Sequence, residues 1–383
     1  MKNRQNNWQK IKLGDAAGEV RNLYNPSPGE HLKYIGLEHI KQNTLRLSSI
    51  GDSADTQSAK KFFSTNDVLF GSLRAYFRKV VKPKFNGVCS TDITVLRSKN
   101  GNDQNFLYYF IANPHFIDFA AASAEGTRMP RVSWKFLSKT QWNFPPSADQ
   151  KRIASILSTF DDKIELNNKI SKNLEAMAQA IFKEWFGKSE KLKAKSEKLF
   201  KLGKIICGKT PSKSNLKYFG GEIPFIKIPD MHNQMFILKT EDSLTEVGAD
   251  SQKNKFIPRN SICVSCIATV GLVSITTKDS QTNQQINTII PKSESYLEFL
   301  YLALKTIKND LMLIGSGGST TLNINTSIFS NIEILVPEEE VIDKFHKLAN
   351  PMFNKILQIN KENQELATLR DLLLPKLMSG EIV

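Results

Sequence analysis

Residues 203–210 match the spacing of a phosphate-binding loop, in which glycines, a lysine and a threonine surround the phosphates of a nucleotide. Such a loop functions only where it follows a buried strand and opens a helix, because its amides and the helix dipole must face the phosphates. Here a charged run, 191–201, precedes the motif, and the turn-forming segment 211–217 follows it. We therefore predict that it binds no nucleotide. The alternative, an ATPase, predicts ATP binding that is lost on Lys209→Ala.

Other residues that could perform chemistry do not form a complete site. Cys263 and Cys266 are a single C-x-x-C pair without a second ligand pair at zinc spacing. The five histidines are scattered, and residues 113–116 and 143–146 each match only part of the Asn-Pro-Pro-aromatic motif of amino-methyltransferases. No Gly-rich cofactor loop accompanies either segment. The sequence therefore predicts no catalytic residue, no metal site and no bound cofactor.

The remaining polar and basic side chains are of the types that bind double-stranded DNA. Lysine and arginine hold phosphates, arginine reads guanine edges, and asparagine and glutamine read adenine in the major groove. The first half carries a basic and aromatic segment, 71–84, and a basic loop, 126–131, whereas amides and hydroxyls predominate in the second half. A solvated surface position remains the alternative for any single residue. The predicted DNA-binding residues are Arg74, Tyr76, Arg78, Lys79, Arg128, Arg131, Lys209, Thr210, Ser212, Lys213, Asn215, Gln284, Gln285, Ser319 and Thr320.

The positive charge is confined to two blocks of the chain. Residues 1–149 carry 21 basic and 12 acidic side chains, and residues 187–337 carry 19 and 13, whereas 150–186 and 338–383 have net charges of +1 and −2. Two basic blocks suit a polyanion, because binding to phosphates releases counterions. Generic solubility charge is the alternative explanation. The four cysteines are too few for a disulfide framework and indicate free thiols in a reducing cytosol.

The two basic blocks belong to an internal repeat of about 190 residues. Residues 126–136 align with 318–328 at a constant offset of 192. Weaker matches upstream, such as Lys12-Leu-Gly14 with Lys201-Leu-Gly203, have offsets between 189 and 194, as changes in loop length would produce.

After each repeat, apolar residues recur at alternating spacings of three and four, which indicates two helices with coiled-coil seams. Both seams are in the same register, and polar residues near their middle favour one pairing. We expect the helices to pair with each other and to end near Gly187 and Pro375; two unrelated amphipathic helices are the alternative. The predicted seam residues are Ile153, Leu157, Phe160, Ile164, Asn167, Leu174, Ile181, Phe345, Met352, Ile356, Ile359, Asn363, Leu366 and Leu373.

Between the turns, short β-branched runs predict strands, and two apolar runs, 107–111 and 296–301, predict helices. The expected fold is mixed α/β, with two globular domains in a pseudo-twofold repeat and two long coiled-coil helices. The predicted boundaries are 1–148 for the first globular domain and 149–198 for the first helix and linker. The second globular domain covers 199–337, and the second helix and tail cover 338–383. The end of the linker, 188–198, is expected to continue the first helix.

The sequence resembles the specificity subunit of type I restriction-modification enzymes over nearly its whole length. The resemblance is carried by Lys12-Leu-Gly-Asp, by Asn66-Asp-Val-Leu-Phe-Gly-Ser-Leu-Arg, by residues 145–164, 208–213 and 220–230, and by Leu372-Leu-Leu-Pro-Lys-Leu-Met-Ser-Gly380. It implies a non-catalytic cytoplasmic subunit whose two target-recognition domains, 1–148 and 199–337, each read half of a bipartite DNA target. The two long helices would form an antiparallel coiled-coil spacer that also docks the modification subunits. Two modification subunits would bring S-adenosylmethionine and methylate adenine, and restriction subunits would bring ATP and Mg²⁺.

A helix of about 36 residues spans roughly 54 Å, or about 16 base pairs, so the two long helices could set an unread gap between the half-sites.

A stand-alone two-domain DNA-binding regulator is the rival hypothesis, and it requires no apolar helix surface beyond the seam. Ile156, Met177, Phe182 and Phe186 lie off the seam and favour the docking of partner subunits. No stretch is apolar and long enough to cross a membrane.

Overall fold

The computed structural model describes residues 7–27, 29–187, 194–316 and 322–382. The chain folds into two compact units, each with its own apolar core. The first unit combines Met1–Glu165 with Gln364–Val383, and the second is Leu166–Asn363. Each unit therefore contains one globular α/β domain and parts of both long helices.

The strands of the first unit are short, and the central ones are apolar on both faces because helices cover the sheet. In the described residues they form two larger sheets, of order β10-β9-β12-β2 and β3-β8-β11-β4-β7, and two-stranded pairs β1-β13 and β5-β6. They are β1 (Gln9–Lys12), β2 (Ala17–Glu19), β3 (Leu23–Tyr24), β4 (Lys33–Ile35), β5 (Ile40–Lys41), β6 (Arg46–Leu47), β7 (Gly51–Asp52), β8 (Lys60–Phe63), β9 (Val68–Gly71), β10 (Val80–Val81), β11 (Gly87–Ser90), β12 (Ile93–Ser98) and β13 (Gln141–Phe144).

Helices cover these sheets and begin at polar caps. Asp103 accepts a hydrogen bond from the backbone of Phe106 at the start of α2, and Asn113 caps α3 in the same way. The inward faces of α2 and α3 pack with Phe144 and the first turns of α5 into one core. The helices that begin in this unit are α1 (Leu13–Ala16), α2 (Gln104–Ala112), α3 (Pro114–Ala122), α4 (Trp134–Leu137) and α5 (Ser147–Phe186).

The second unit repeats this plan. Its described strands form sheets of order β15-β22-β19-β20-β17 and β18-β16-β21 and the pair β14-β23. They are β14 (Lys195–Lys198), β15 (Gly203–Cys207), β16 (Phe219–Ile226), β17 (Phe236–Ile237), β18 (Asp242–Leu244), β19 (Ile262–Ser265), β20 (Val273–Thr276), β21 (Gln281–Thr282), β22 (Ile286–Pro291) and β23 (Glu333–Val336). The helices that begin here are α6 (Ile228–Met231), α7 (Glu246–Asp250), α8 (Tyr296–Thr306), α9 (Lys308–Gly315), α10 (Thr326–Ser330) and α11 (Glu339–Ser379).

Strand pairing shows that the two domains are copies of one fold. The order β10-β9-β12-β2 in the first unit corresponds to β20-β19-β22-β15 in the second. In each unit the last strand of the domain, β13 or β23, pairs antiparallel with a strand that precedes the first sheet, β1 or β14. The backbone N–H of Leu13 donates to the carbonyl of Thr140, and that of Leu199 donates to the carbonyl of Ile332, which lies 192 residues after Thr140.

These hydrogen bonds correct two sequence-based assignments. Leu13 is equivalent to Leu199 and not to Leu202, so the proposed match of Lys12–Gly14 with Lys201–Gly203 was displaced by three residues. The expectation that 188–198 continues the first helix was also wrong for the part described, because Lys195–Lys198 is a strand of the second domain. The backbone of this segment hydrogen-bonds to the edge strand β23, so its residues form a sheet and not a helix.

The two long helices are antiparallel partners. In the second unit Asn167 Nδ2 donates to Asn363 Oδ1 at 3.0 Å, while Phe186, nineteen residues further on, meets Phe345, eighteen residues further back. In the first unit Arg370 Nη1 donates to Asp161 Oδ1 at 2.6 Å. All predicted seam residues are buried or half-buried. Helix α11 continues through Pro375, where an end was expected, because Leu374, Leu377 and Met378 pack into the core of the first unit.

Candidate nucleic-acid interface

In the first unit, the turn after β9 is hydrogen-bonded to the segment before α4. The backbone N–H of Arg74 donates to the carbonyl of Pro130 at 2.8 Å, and Nη2 of Arg74 donates to the carbonyl of Arg128 at 3.3 Å. Arg131 pairs by its backbone with Leu73. The fold thus brings together predicted residues that are 54 positions apart in sequence. We call Arg74, Tyr76, Arg78, Arg128 and Arg131 the arginine surface.

The turn that carries this surface has an unusual backbone. Arg74 and Arg78 have φ angles of 51° and 52°, and the 3-10 turn between them leaves Tyr76 51% exposed. The equivalent positions in the second unit are Ala268, with φ of 62°, and Gly271, with φ of 85°. The fold therefore imposes a left-handed conformation at both positions, and it places an arginine where glycine is the least strained residue.

Acidic partners orient two of the arginines. Arg131 forms an ion pair with Asp92, and Arg78 Nη2 lies 3.1 Å from Asp118 Oδ1 on the surface. Lys79, which was also predicted to bind DNA, has its ammonium bonded within the domain. Its ammonium donates to the carbonyl of Leu37 at 2.6 Å, and burial lowers its pKa. Lys79 therefore links two loops of the domain and does not extend the arginine surface.

In the second unit a neighbouring turn at the same edge of the fold carries amides. Residues 283–285 join β21 to β22, and we call them the amide loop. Thr210 Oγ1 donates to Gln284 Oε1 at 2.7 Å, and the buried Asn283 donates from Nδ2 to Gln285 Oε1 at 2.9 Å. Gln284 itself is exposed. Thr210, Gln284 and Gln285, which were predicted from sequence, are thus neighbours.

Buried groups hold the amide loop from beneath. The N–H of Lys209 donates to the carbonyl of Thr282 at 2.9 Å. The amide of Gln252, a residue that the sequence did not single out, donates both to the carbonyl of Lys209 and to the side chain of Gln281. A Cβ on Gly208 would lie 2.2 Å from Thr282 Oγ1, so only glycine permits this close approach.

This geometry explains the motif at 203–210 without a nucleotide. Residues 203–207 form the strand β15, and Gly208 packs against Thr282. The segment that follows lacks a helix until the short 3-10 turn Leu216–Tyr218, which Asn215 caps. Because no helix opens after the motif, the structure provides no helix dipole for phosphates.

The remaining predicted residues of the second unit surround the amide loop or lie outside the described residues. Thr210, Lys213, Gln284 and Gln285 line one cleft of about 530 Å³. Ser212 is exposed and hydrogen-bonded to Ser214. Ser319 and Thr320 lie outside the described residues.

The arginine surface and the amide loop lie on neighbouring turns at the same edge of the repeated fold. The N–H of Ser72 donates to the carbonyl of Asp92, and the N–H of Cys266 donates to that of Gln285, so the amide loop is equivalent to residues 90–92. The bridge between Leu73 and Arg131 recurs between Ile267 and Asn323. In the first unit Arg131 of the arginine surface forms its ion pair with Asp92, so each unit presents polar side chains from the same edge of one fold.

Groups that could support catalysis do not assemble in the described part of the chain. No cluster of three or more His, Cys, Asp or Glu residues there could hold a metal ion. Cys263 and Cys266 are buried, and burial raises the pKa of Cys263 to about 12 and that of Cys266 to about 11. These thiols are therefore protonated near neutral pH and are poor nucleophiles.

The long helices expose apolar side chains at positions that also repeat. Ile156 and Leu348, which are 192 residues apart, are 40% and 42% exposed, and Met177 and Leu369 are 52% and 49% exposed. Phe182 and Phe186 do not belong to this set. They pack against Phe299 and Phe345, so their predicted role in docking is wrong.

None of the helices described is apolar and long enough to span a membrane.

Comparison with known proteins gives consistent relatives. A family model for the type I restriction modification DNA specificity domain matches the chain twice, at residues 5–176 and 194–366. The HindI specificity subunit of Haemophilus influenzae is 35% identical, with 98% of this chain and 99% of that protein covered. The MjaIX specificity subunit of Methanocaldococcus jannaschii is 25% identical over 74% of this chain and 70% of that protein.

A solved structure has the same fold. The crystal structure of a type I restriction-modification S subunit from M. genitalium aligns with a TM-score of 0.59 at 17% identity, and covers 98% of this chain and 97% of that one. The predicted fold class, two α/β domains in repeat with long antiparallel helices, is confirmed.

Proposed function

The chain belongs to the family of type I restriction-modification DNA specificity subunits, and from this premise we propose that its two units read the two halves of a bipartite target in double-stranded DNA. The observation that carries the proposal is that the arginine surface and the amide loop lie on neighbouring turns at the same edge of the repeated fold. Two copies of one fold present different side chains from this edge. Each copy would therefore bind DNA in a similar manner and recognise a different sequence.

The chemistry of the two surfaces suits duplex DNA. Arg74, Arg128 and Arg131 carry forked donors that match guanine O6 and N7, and exposed glutamine amides match adenine N6 and N7. Both domains are positively charged, which favours phosphate contacts. The remaining predicted contacts, such as Lys209, Lys213 and Ser212, would position the second domain on the backbone.

We further propose that the subunit has no catalytic role and works in the cytoplasm with two modification subunits and with restriction subunits. S-adenosylmethionine, ATP and Mg²⁺ would be bound by those partners. The repeated exposure of Ile156 with Leu348, and of Met177 with Leu369, supports two equivalent docking positions on the long helices. A partner present in two copies would use each position once.

The test is an exchange of recognition domains. Residues 1–145, which end just before α5 begins at Ser147, are replaced by the corresponding segment of another specificity subunit, and methylated adenines are mapped across the genome. We expect one half of the methylated motif to change and the other half to persist. A deletion strain serves as the control and should lose the motif.

Two results would contradict the proposal. If both halves of the motif changed, the two units would not read independently. If deletion altered transcription and left methylation intact, the chain would act as a stand-alone regulator. Native mass spectrometry of the purified assembly provides a second measurement, and we expect two modification subunits for each chain.

A further inference from the structure

We propose that Gln284 reads an adenine in the half-site bound by the second unit, and that Thr210 is the residue that positions it. This inference rests on the proposed function, because it requires the second unit to face DNA bases. It adds the identity of one recognised base and the side chain that recognises it.

The orientation of the Gln284 amide carries the inference. Thr210 Oγ1 donates to Gln284 Oε1 at 2.7 Å. The bond uses one lone pair of Oε1, so its second lone pair and both hydrogens of Nε2 are available. Adenine presents an N6–H donor and an N7 acceptor side by side in the major groove, and a glutamine amide pairs with both at once. Thr210 therefore holds Gln284 with the required acceptor and donor still free.

The backbone beneath Gln284 is fixed before any ligand arrives. Asn283 is buried, donates its N–H to the carbonyl of Ile226, and also donates from its side chain to Gln285. Gly208 and Lys209 bond to the carbonyls of Ile286 and Thr282 from the neighbouring strand. A side chain on such a braced loop loses little entropy on binding, and a rigid support is what base discrimination requires.

The arginine content of the second unit narrows the choice of base. Arginine is the commonest reader of guanine, and the first unit presents four arginines on its surface. Between residues 194 and 337 the sequence has a single arginine, Arg259. It precedes β19, whereas the amide loop lies beside the end of β19, where Ser265 pairs with Ile286. Recognition at the amide loop therefore uses no arginine, and the side chains that surround it include amides, hydroxyls and the lysines Lys209 and Lys213.

The experiment compares the base preferences of matched variants. The full-length chain, assembled with its modification subunits, is used to select binding sequences from a randomised pool of DNA duplexes. Domain exchange at residues 1–145 assigns each half-site to its unit. The variants are Gln284→Ala, Gln284→Glu, Thr210→Val and Thr210→Ser, with Arg259→Ala as the control, and a thermal melt of each confirms that it is folded.

We expect Gln284→Ala to reduce the preference for adenine at one position of the second half-site by about 5- to 150-fold, the value of one bidentate pair. Gln284→Glu keeps the shape of the side chain and replaces the donor by an acceptor, so it should shift that position from adenine towards cytosine. Thr210→Val should weaken the preference at the same position, and Thr210→Ser should retain it. Arg259→Ala should leave the motif unchanged.

The outcomes separate this inference from the proposed function. If the wild-type complex selects a bipartite motif and both Gln284 variants keep every preference, Gln284 is not a reader. Loss of preference at a G·C pair, or in the half-site of the first unit, would also overturn the inference. If the wild-type complex selects no bipartite motif, the proposed function itself fails.

Discussion

Arg78 occupies a backbone position at which the second unit has glycine. Its φ is 52°, and that of Gly271 is 85°. A left-handed conformation costs a residue with a Cβ about 1–2 kcal/mol. The exposed ion pair with Asp118 returns about 0–1 kcal/mol, so it offsets only part of this cost. We infer that the guanidinium of Arg78 contacts a partner outside the chain, and under the proposed function that partner is DNA.

We expect Arg78→Gly to weaken DNA binding and to leave the stability of the first unit unchanged or raised by up to about 1 kcal/mol. The loss of one phosphate contact should reduce the slope of log K against log salt by about 1. Fluorescence anisotropy at several salt concentrations measures the slope, and a thermal melt measures stability.

Arg78→Ala is the matched control, because it removes the same charge and keeps the Cβ. It should bind DNA as weakly as Arg78→Gly and be less stable than that variant. Wild-type binding by both variants would show that Arg78 does not contact DNA.

Residue types could be predicted from the sequence, but their contacts could not. Most of the predicted arginines and amides are at least partly accessible, and their contact with DNA stays a prediction. Lys79 looked equivalent to Arg78, yet its ammonium bonds to Leu37, a residue 42 positions away. Such a bond depends on how two loops meet in space, and no local pattern encodes it.

At the scale of elements, the long helices carry different side chains at equivalent buried positions in the two units. Arg370 is 1% exposed and bonds to Asp161, which also accepts from Tyr109. Burial alone would lower the pKa of Arg370, but the carboxylates of Asp161 and Asp371 outweigh this and raise it. The positions 192 residues away hold an apolar pair, Ala178 and Phe353, both buried.

We expect Asp161→Ala to destabilise the first unit by about 3 kcal/mol or more, because it leaves a buried guanidinium without its main partner. The double variant Asp161→Phe with Arg370→Ala copies the apolar pair of the second unit and should lie within about 2 kcal/mol of the wild type. Removing the charge of Arg370 also relieves Arg46, whose pKa is lowered by burial and then by Arg370.

Urea unfolding of the wild type, the single variants and the double variant measures the coupling between the two positions. A double variant as unstable as Asp161→Ala would show that the surrounding core requires the ion pair itself.

Elements with a strong local period were easier to predict than those without one. The helical seam repeats every three or four residues, so its register was visible in the sequence and its residues are buried or half-buried. The strand Lys195–Lys198 contains no apolar side chain, and its four residues are exposed or half-buried. It forms only because β23 offers a free edge, which a sequence pattern cannot show.

For the whole molecule, the repeat was the most informative feature of the sequence. The offset of 192 recurs between Thr140 and Ile332, which accept the hydrogen bonds of Leu13 and Leu199, between the bridged residues Arg131 and Asn323, and in the exposed apolar residues of the helices. The N-terminal match was displaced because Leu199 and Leu202 are three residues apart, each follows a lysine, and both are buried. Only the pairing with the last strand distinguishes them.

The paired helices α5 and α11 are expected to act as a spacer between the two half-sites. Asn167 and Asn363 bond to each other near the middle of α5 and α11, and a polar pair of this kind fixes register. Seven residues inserted into each helix beside this pair preserve the seam and lengthen each helix by about 10 Å, or roughly three base pairs. We expect the unread gap of the methylated motif to grow by about that amount with both half-sites intact, since no recognition residue changes. Two-residue insertions, which turn the seam by about 200° to the opposite face of each helix, are the control and should abolish methylation. An altered half-site, or an unchanged gap in the seven-residue variant, would mean that the helices do not set the spacing.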